Sequence, residues 1–284
     1  MRSFLTVLFL VTAFFVQPLA AEELSGKLQQ VQKSGIIKIG YRHSQPPMSF
    51  LDESGKPAGY SIDLCEQIVT KVQETVDRDL KVEYVSVSAE DRFEALAKNK
   101  IDILCGATTR TLSRGELVDF TQLTFVTGAS FMTLKEKKIV NGFSGKKIGV
   151  VKGTTTAIGL KELLKETGTE ADVILFGSST ECMKALVKEQ IDAFSADQIV
   201  LIGLAIESGN PTQFAVLPDL FSYEPFALAV RKNDSDFRLV ADRVISDLYR
   251  SRQILKIYDK WLGSFSKKRS TAFEALVTLN AIPE

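Results

Sequence analysis

The chain has 284 residues, of which 45% are hydrophobic, so it can bury a large core and has room for two domains. Its 35 basic and 35 acidic residues cancel, and its one short basic cluster, at 267–269, is most simply a solvated segment. A nucleic-acid partner, which requires a basic face, is therefore not expected.

The N-terminal residues have the pattern of a secretory signal peptide. Arg2 precedes a mostly apolar run at 4–16, and small residues follow up to Ala21. The run is shorter than the ~20 residues that a membrane-spanning helix needs. We expect residues 1–21 to be the signal peptide, with cleavage after Ala21. We expect no lipid anchor, because no cysteine follows the run, and a mature protein that is soluble outside the inner membrane.

The next part of the chain, up to residue 121, alternates between strand and helix patterns. Strands are predicted at 36–40, 81–87 and 101–104, a short hairpin at 48–59, and helices that begin at Ser61 and after Ser88. Ser88 and Asp91 resemble a capping box. Strands and helices that alternate with short connections are typical of a parallel sheet covered by helices.

The same alternation restarts after residue 145 and predicts a second α/β lobe. Strands are expected at 147–151, 173–176, 192–195 and 214–217, with helices at 153–164, 178–188 and 198–207. Between the lobes, the β-prone segments 123–134 and 223–230 predict two extended crossings, which suit a hinge. Helices at 234–250 and 252–262 would return to the first lobe, and 263–284 would form a loosely docked tail.

The three cysteines, Cys65, Cys105 and Cys182, have no metal-binding spacing and no Cys-x-x-Cys pair. Their odd number leaves at least one free thiol in an oxidising compartment, and their apolar positions favour buried thiols. The single histidine, His43, cannot by itself supply a metal site or a histidine-based triad. Neither a metal nor a cofactor is expected.

The segment 102–121 is the main candidate for a ligand site. An apolar strand ends at Gly106, and hydroxyl-bearing residues and two arginines follow. A strand-to-helix turn of this kind gathers N–H groups, hydroxyls and a guanidinium, which suits a small carboxylate. If Thr111 caps a helix, Arg114 opposes the helix dipole by roughly 0.3–1 kcal/mol, and a bound carboxylate would compensate. Arg114 could instead be a surface arginine paired with a nearby acidic residue (Glu116 or Asp119).

Four further positions lie at strand ends or helix starts, where α/β proteins bind ligands. Arg42 ends the first strand, and Arg92 lies in the first turn of a helix, where neighbouring carboxylates could simply neutralise it. The residues 153–156 open a helix that has no acidic residue in its first turn, so they could bind an anion or form an ordinary threonine cap. Asp197 could cap a helix or pair with an ammonium group.

Five sequence blocks, in order between about residues 36 and 262, resemble the periplasmic amino-acid-binding proteins of ABC importers, the type II solute-binding family. The blocks are 59–64 (GYSIDL), 101–114 (IDILCGATTRTLSR), 118–121 (VDFT), 147–155 (KIGVVKGTT) and 191–197 (IDAFSAD). The resemblance implies an α/β fold of two lobes, each a mostly parallel sheet flanked by helices, joined by a two-segment hinge. Lobe 1 would comprise 25–124 and 228–262, and lobe 2 would comprise 125–227. The family also implies a periplasmic monomer that serves a membrane ABC permease.

The resemblance further implies a role for each candidate residue. Arg114 would hold the α-carboxylate with the N–H groups and hydroxyls of Thr154 and Thr155. The α-ammonium would be received by the Ala107 carbonyl, the Thr109 hydroxyl and Asp197.

The side-chain end of the site resembles that of the glutamate/aspartate binders. Arg42 and Arg92 match their extra arginines, which meet the side-chain carboxylate. In those binders a histidine stands where Ser179 falls here and a serine where Ala89 falls, and Ser179 remains a candidate ligand residue. Gln45 and Ala89 occupy the places where two aromatic walls often occur in the family, and no aromatic sandwich for an aliphatic or guanidino side chain is evident.

The sequence therefore predicts a receptor that is not an enzyme and that captures an amino acid, with glutamate or aspartate favoured by charge. Three arginines and Asp197 give the site a net charge of +2, against −1 for an acidic amino acid. Two alternatives remain open. The first is a secreted enzyme on the same fold, similar to cyclohexadienyl dehydratases, for which Glu224 is the one unassigned carboxylate at a motif position. The second is the ligand-binding component of a sensory system.

Overall fold

The computed structural model describes residues 23–137, 139, 142–265 and 268–284, so the expected signal peptide lies outside the described part. No helix among these residues is long and apolar enough to cross a membrane. The strands are β1 (Ile36–Tyr41), β2 (Ser44–Gln45), β3 (Ser49–Leu51), β4 (Pro57–Ala58), β5 (Lys81–Ser86), β6 (Ile103–Cys105), β7 (Val118–Thr127), β8 (Ala129–Leu134), β9 (Lys147–Val151), β10 (Asp172–Phe176), β11 (Ala193–Asp197), β12 (Phe214–Val216) and β13 (Glu224–Arg231). The α-helices are α1 (Gly26–Ser34), α2 (Tyr60–Val76), α3 (Arg92–Ala97), α4 (Thr155–Glu166), α5 (Ser179–Val187), α6 (Gln198–Glu207), α7 (Ser235–Arg250), α8 (Ile254–Leu262) and α9 (Thr271–Leu279).

Ten of the strands form one five-stranded sheet in each of two lobes, and β2, β3 and β4 form a small third sheet. The first has the order β5-β1-β6-β13-β7 and the second the order β10-β9-β11-β8-β12. In each sheet three neighbouring strands are parallel, and the antiparallel pairs come from the segments that connect the lobes. The predicted fold class, two α/β lobes, is confirmed.

The helices cover the sheets because each has one apolar face. In α2, for example, the buried residues Cys65, Ile68, Val69, Val72 and Val76 recur at helical spacing and lie in the main core. The strands of the first sheet bury Ile37, Ile39 and Ile103 on the same core. Burial of these side chains supplies the main stabilisation of each lobe, at roughly 1.5–3 kcal/mol for a large aliphatic side chain.

Two extended segments connect the lobes. β7 belongs to the first sheet and β8 to the second, with Gly128 between them, and the chain returns between β12 and β13. The first residue of β13, Glu224, pairs with the last residue of β7, Thr127. A Cβ atom at Gly128 would lie 2.4 Å from the Ser222 carbonyl oxygen, so only glycine lets the two connections lie this close.

Two expectations, about the cysteines and about the C-terminal segment, are wrong. Cys65 and Cys105 form a disulfide that ties α2 to β6, and Cys182 alone is free and buried. The C-terminal segment is not loosely docked, because α9 buries Phe273, Leu276 and Val277 in the main core.

Two local predictions about helix starts are also corrected. Ser61 does not cap α2; Gly59 holds that position, and the Ser61 hydroxyl donates to the Gly106 carbonyl. Thr111 does accept a hydrogen bond from the Arg114 N–H at 3.1 Å, but only a three-residue 3-10 helix, Arg114–Glu116, follows. So short a helix has no appreciable dipole, and that part of the argument for Arg114 fails.

Candidate functional site

The sequence-predicted site residues lie where the two lobes face each other. Lobe 1 contributes Arg42 after β1, Arg92 at the start of α3, Ala107 and Thr109 after β6, and Arg114. Lobe 2 contributes Thr154 and Thr155 at the start of α4, Ser179 at the start of α5, and Asp197 at the end of β11. In the first sheet β1 and β6 are parallel neighbours, so the residues that follow them meet at one edge, as the strand-end argument requires.

Three guanidinium groups from lobe 1 are close enough to affect one another. Burial, followed by the charges of Arg114 and Arg42, lowers the pKa of Arg92 well below its ordinary value. Burial also lowers the pKa of Arg42, to about 10, and that of Arg114. Arginine stays protonated in proteins, so the physical consequence is a concentration of positive charge that an anion would stabilise.

The neighbours in sequence offset this positive charge only in part, through the Asp91 carboxylate, whose charge acts on Arg42 and Arg92. Glu94 pairs with Lys98, and Asp119 pairs with Lys232, so these two carboxylates are not the partners of Arg92 and Arg114. The Arg114 guanidinium instead donates to the Thr109 carbonyl at 2.8 Å. The Arg92 guanidinium donates to the Ala89 carbonyl and, across the cleft, to the Gly153 carbonyl at 3.3 Å. Its Nε has no hydrogen-bond partner among the described residues.

An aromatic ring positions two of the guanidiniums. The Phe93 ring centroid lies 4.5 Å from Cζ of Arg92 and 5.4 Å from Cζ of Arg114. A guanidinium at this distance is attracted to the ring face. Phe93 is not among the site residues predicted from the sequence, and only its place directly after Arg92 could have suggested it.

Two carboxylates from lobe 2 and the hinge face the arginines. Asp197 begins α6 without capping it, and its buried Oδ1 has no hydrogen-bond partner among the described residues. Burial, followed by the charge of Glu224, raises the pKa of Asp197 well above its ordinary value, and Arg114 and Arg92 oppose the shift. A buried, unpaired carboxylate oxygen is costly and calls for a donor such as an ammonium group.

The hydroxyl groups of Thr154 and Thr155 already donate their protons to acceptors within the protein. The Thr154 hydroxyl donates to the Val151 carbonyl at 2.7 Å and accepts from the Ala157 N–H as the cap of α4. The Thr155 hydroxyl donates to Glu224 Oε2 at 2.7 Å. Neither hydroxyl proton is therefore directed at a ligand carboxylate. The Thr155 backbone N–H, in the first turn of α4, is the group that remains suited to that role.

Two predicted residues are placed at the site without polar links to the arginines. Ala107 is buried, and its N–H donates to the Gln45 side chain at 3.3 Å. Ser179 is buried at the start of α5, and no hydrogen bond among the described residues joins it to Arg42, Arg92 or Arg114. Their contact with a ligand stays a prediction.

The lobes touch at two further places. The Lys152 ammonium of lobe 2 pairs with the Glu90 carboxylate of lobe 1 at 2.6 Å. Gly203, in α6, packs so closely on lobe 1 that a Cβ there would lie 2.3 Å from the Pro46 carbonyl oxygen. The described conformation is therefore a closed one.

A cavity of about 430 Å³ adjoins the site from the hinge side, and its walls include Thr109, Thr155 and Glu224. Within the described parts of the chain, no group of three or more histidine, cysteine or acidic side chains is arranged to hold a metal ion. The chemistry that these groups offer is recognition of a small zwitterion: guanidiniums and an N–H donor for a carboxylate, and carboxylate oxygens for an ammonium group.

Comparison with known proteins agrees with this geometry. The family model for bacterial extracellular solute-binding proteins, family 3, matches residues 37–264. The chain belongs to this family. An L-glutamate/L-aspartate-binding protein of Pseudomonas aeruginosa is 32% identical over 256 residues, which are 89% of this chain and 85% of that protein.

Two further proteins are similar to this chain. A glutamate/aspartate import solute-binding protein of Salmonella typhimurium is 29% identical over 237 residues, 82% of this chain and 78% of that protein. Among solved structures, the cysteine-binding protein from Campylobacter jejuni superimposes with a TM-score of 0.74 at 27% identity, over 87% of this chain and 97% of that one. The predicted family resemblance is confirmed.

Proposed function

We propose that this solute-binding protein is a periplasmic receptor that captures an α-amino acid, preferably glutamate or aspartate, and delivers it to a membrane ABC permease. The observation that carries the proposal is the facing pair of buried charges. Arg92 has an unpaired Nε, and Asp197 has an unpaired Oδ1, on opposite sides of the cleft. A zwitterion that places a carboxylate on the arginines and its ammonium on Asp197 would satisfy both.

The charge balance supports an acidic ligand. Arg42, Arg92 and Arg114 contribute +3, and Asp197 and Glu224 contribute −2, because Glu224 is buried beside Asp197 and Arg114. The net charge is then +1 rather than the +2 expected from sequence, and it matches the −1 of glutamate or aspartate. The similar proteins from P. aeruginosa and S. typhimurium are named for these two amino acids, which also supports an acidic ligand.

The proposal gives each candidate residue one role in binding the ligand. Arg114 and the Thr155 N–H hold the α-carboxylate, and the Ala107 carbonyl, the Thr109 hydroxyl and Asp197 receive the α-ammonium. Arg42 and Arg92 hold the side-chain carboxylate. Thr154 acts through its cap on α4, and Ser179 lines the side-chain end.

One observation favours a second candidate, an enzyme on this fold. A carboxyl with a raised pKa in a cleft, such as that of Asp197, is what a general acid requires. We prefer the receptor, since the relatives reported above are named as binding proteins. Recovery of unaltered glutamate after prolonged incubation distinguishes a receptor from an enzyme that acts on this ligand.

A thermal-shift panel of the twenty amino acids tests the proposal. At a ligand concentration of 100 times Kd, mass action adds about 2.7 kcal/mol to the free energy of unfolding, which raises Tm by roughly 5–10 °C. Glutamate or aspartate should give the largest shift. A panel in which none of the twenty shifts Tm would refute amino-acid binding.

Arginine variants test which part of the ligand each guanidinium binds: the α-carboxylate or the side-chain carboxylate. Arg114→Ala should abolish binding of every amino acid, whereas Arg42→Ala and Arg92→Ala should weaken glutamate far more than glutamine. Arg110→Ala is the matched control, because Arg110 is exposed in the same turn. Equal losses for glutamate and glutamine in the Arg42 and Arg92 variants would contradict the acidic preference.

A further inference from the structure

Glu224 joins groups from both lobes at the hinge. Its carboxylate is buried, with the side chain 2% exposed. Oε2 accepts hydrogen bonds from the hydroxyl of Thr109 in lobe 1 and from that of Thr155 in lobe 2, the latter at 2.7 Å. Oε1 accepts from the Ser222 hydroxyl at 2.8 Å. Lobe 1, lobe 2 and the hinge thus share one carboxylate.

These hydrogen bonds fix the direction of two hydroxyl protons. A hydroxyl has a single proton and two lone pairs, and a carboxylate accepts only. The two threonine oxygens are 3.3 Å apart, but each lies closer to Oε2, which takes both protons. What Thr109 and Thr155 then offer to a ligand is lone pairs.

The carboxylate of Asp197 adds a further hydrogen-bond acceptor beside the two threonine hydroxyls. The Glu224 charge contributes to the raised pKa of Asp197, which places the two carboxylates near each other, and Asp197 Oδ1 is buried without a partner. Beside this cluster, a ligand group must donate hydrogen bonds. An ammonium group does so with three protons, whereas a second carboxylate or a carbonyl would meet only acceptors.

We propose that Glu224 determines specificity by holding the Thr109 and Thr155 hydroxyls as acceptors, so that the site requires an ammonium group. This inference rests on the proposed amino-acid binding and deepens it. The ligands rejected are dicarboxylates of the same length that lack the amine. Glu224 is a positioning residue here, since it acts on the ligand through the two hydroxyls.

The test compares glutamate with glutarate, which is glutamate without its amino group, by calorimetry. The measured quantity is the ratio of the two Kd values. In Glu224→Gln the remaining oxygen can still accept from Ser222, and an NH2 donor then takes the place of Oε2, so both threonine hydroxyls can turn their protons toward the ligand. The preference for glutamate over glutarate should fall roughly tenfold or more, as expected for losing a hydrogen bond to a charged group.

A second variant separates proton direction from charge. Glu224→Asp keeps the charge but is one methylene shorter, so its oxygens withdraw from the two threonine hydroxyls. The glutamate preference should fall in this variant as well. Glu116→Gln, at an exposed position of the same lobe, is the control and should keep the wild-type ratio. Thr109→Val, which removes the hydroxyl and leaves Glu224 unchanged, should also lose the preference, and Thr109→Ser should keep it.

The outcomes are distinct. If wild-type protein binds no amino acid, the proposed function fails and this inference fails with it. If wild-type protein binds glutamate but both Glu224 variants keep its preference over glutarate, this inference alone is overturned. A loss in Glu224→Gln without one in Glu224→Asp would also overturn it, because charge rather than hydroxyl direction would then be the cause.

Discussion

Replacing Gly203 with alanine should weaken ligand binding while leaving the fold intact. Gly203 lies inside α6 of lobe 2 and faces the loop of lobe 1 that contains Pro46. A Cβ atom there would be 2.3 Å from the Pro46 carbonyl oxygen and 2.5 Å from its carbonyl carbon. Both are backbone atoms, so no side-chain rotation can relieve the clash, and the lobes must separate.

The size of the effect follows from this geometry. An ordinary contact begins at 3.4 Å, so the lobes must separate by about 1 Å at this point. Overpacking of this kind costs roughly 1–3 kcal/mol. If the cost falls on the closed state, affinity for the ligand should drop by about 5- to 150-fold. Within lobe 2 the same change should be favourable, because alanine is better than glycine in a helix by about 1 kcal/mol.

Stability and affinity are therefore expected to change in opposite directions. Calorimetry would measure Kd, and urea unfolding without ligand would measure the free energy of unfolding. Gly159→Ala is the matched control: it also replaces a helical glycine of lobe 2, but its nearest atom, in the Phe221 ring, is 3.7 Å away. Wild-type affinity in Gly203→Ala would refute the idea that closure brings α6 onto the Pro46 loop.

Three further predictions concern charge, the disulfide and the C-terminal helix. Burial and a neighbouring carboxylate raise the pKa of Asp197, and a bound ammonium group would lower it. Affinity should therefore increase with pH between the ordinary aspartate value of about 3.9 and the raised value, and Asp197→Asn should be weak and independent of pH over that range in calorimetry. Replacing both Cys65 and Cys105 by serine should lower the free energy of unfolding, measured in urea, by about 4 kcal/mol. This value follows from the loop that the disulfide closes, whose ends are 40 residues apart. Phe273→Ala should cost about 3–5 kcal/mol in the same assay, whereas Leu279→Ala, at a side chain that is 75% exposed, should cost almost nothing; equal effects would contradict the docking of α9.

Local patterns in the sequence predicted most elements of the fold because their causes are local. The strand predicted at 36–40 is β1, Ile36–Tyr41, and the strand at 147–151 has the predicted bounds. The capping box is confirmed as well: the Ser88 hydroxyl accepts from the Asp91 N–H, and the Asp91 carboxylate accepts from the Ser88 N–H. Apolar spacing and caps act within a few residues, so the sequence displays them directly.

Features that depend on distant partners could not be predicted in this way. Cys65 and Cys105 come within bonding distance only because α2 packs beside β6. Ser61 looks like a cap, but its partner is the carbonyl of Gly106, 45 residues away. The role of Glu224 depends on hydroxyls that are 115 and 69 residues distant in the chain. Each of these contacts is a property of the assembled lobes.

The distribution of charge between the lobes gives an order to ligand capture. Arg42, Arg92 and Arg114 all belong to lobe 1, whereas Asp197 belongs to lobe 2. An acidic amino acid arriving at an open cleft would meet the guanidiniums first, and long-range attraction should speed this encounter in a salt-dependent way. Its carboxylates would then reduce the repulsion among the three arginines. Closure would bring Asp197 to the ammonium group, so a ligand without an amine would dock on lobe 1 yet gain little from closing. In the proposed function, Asp197 acts only on closing, so much of the preference for an amine would belong to the closing step and the preference for acidic side chains to the docking step.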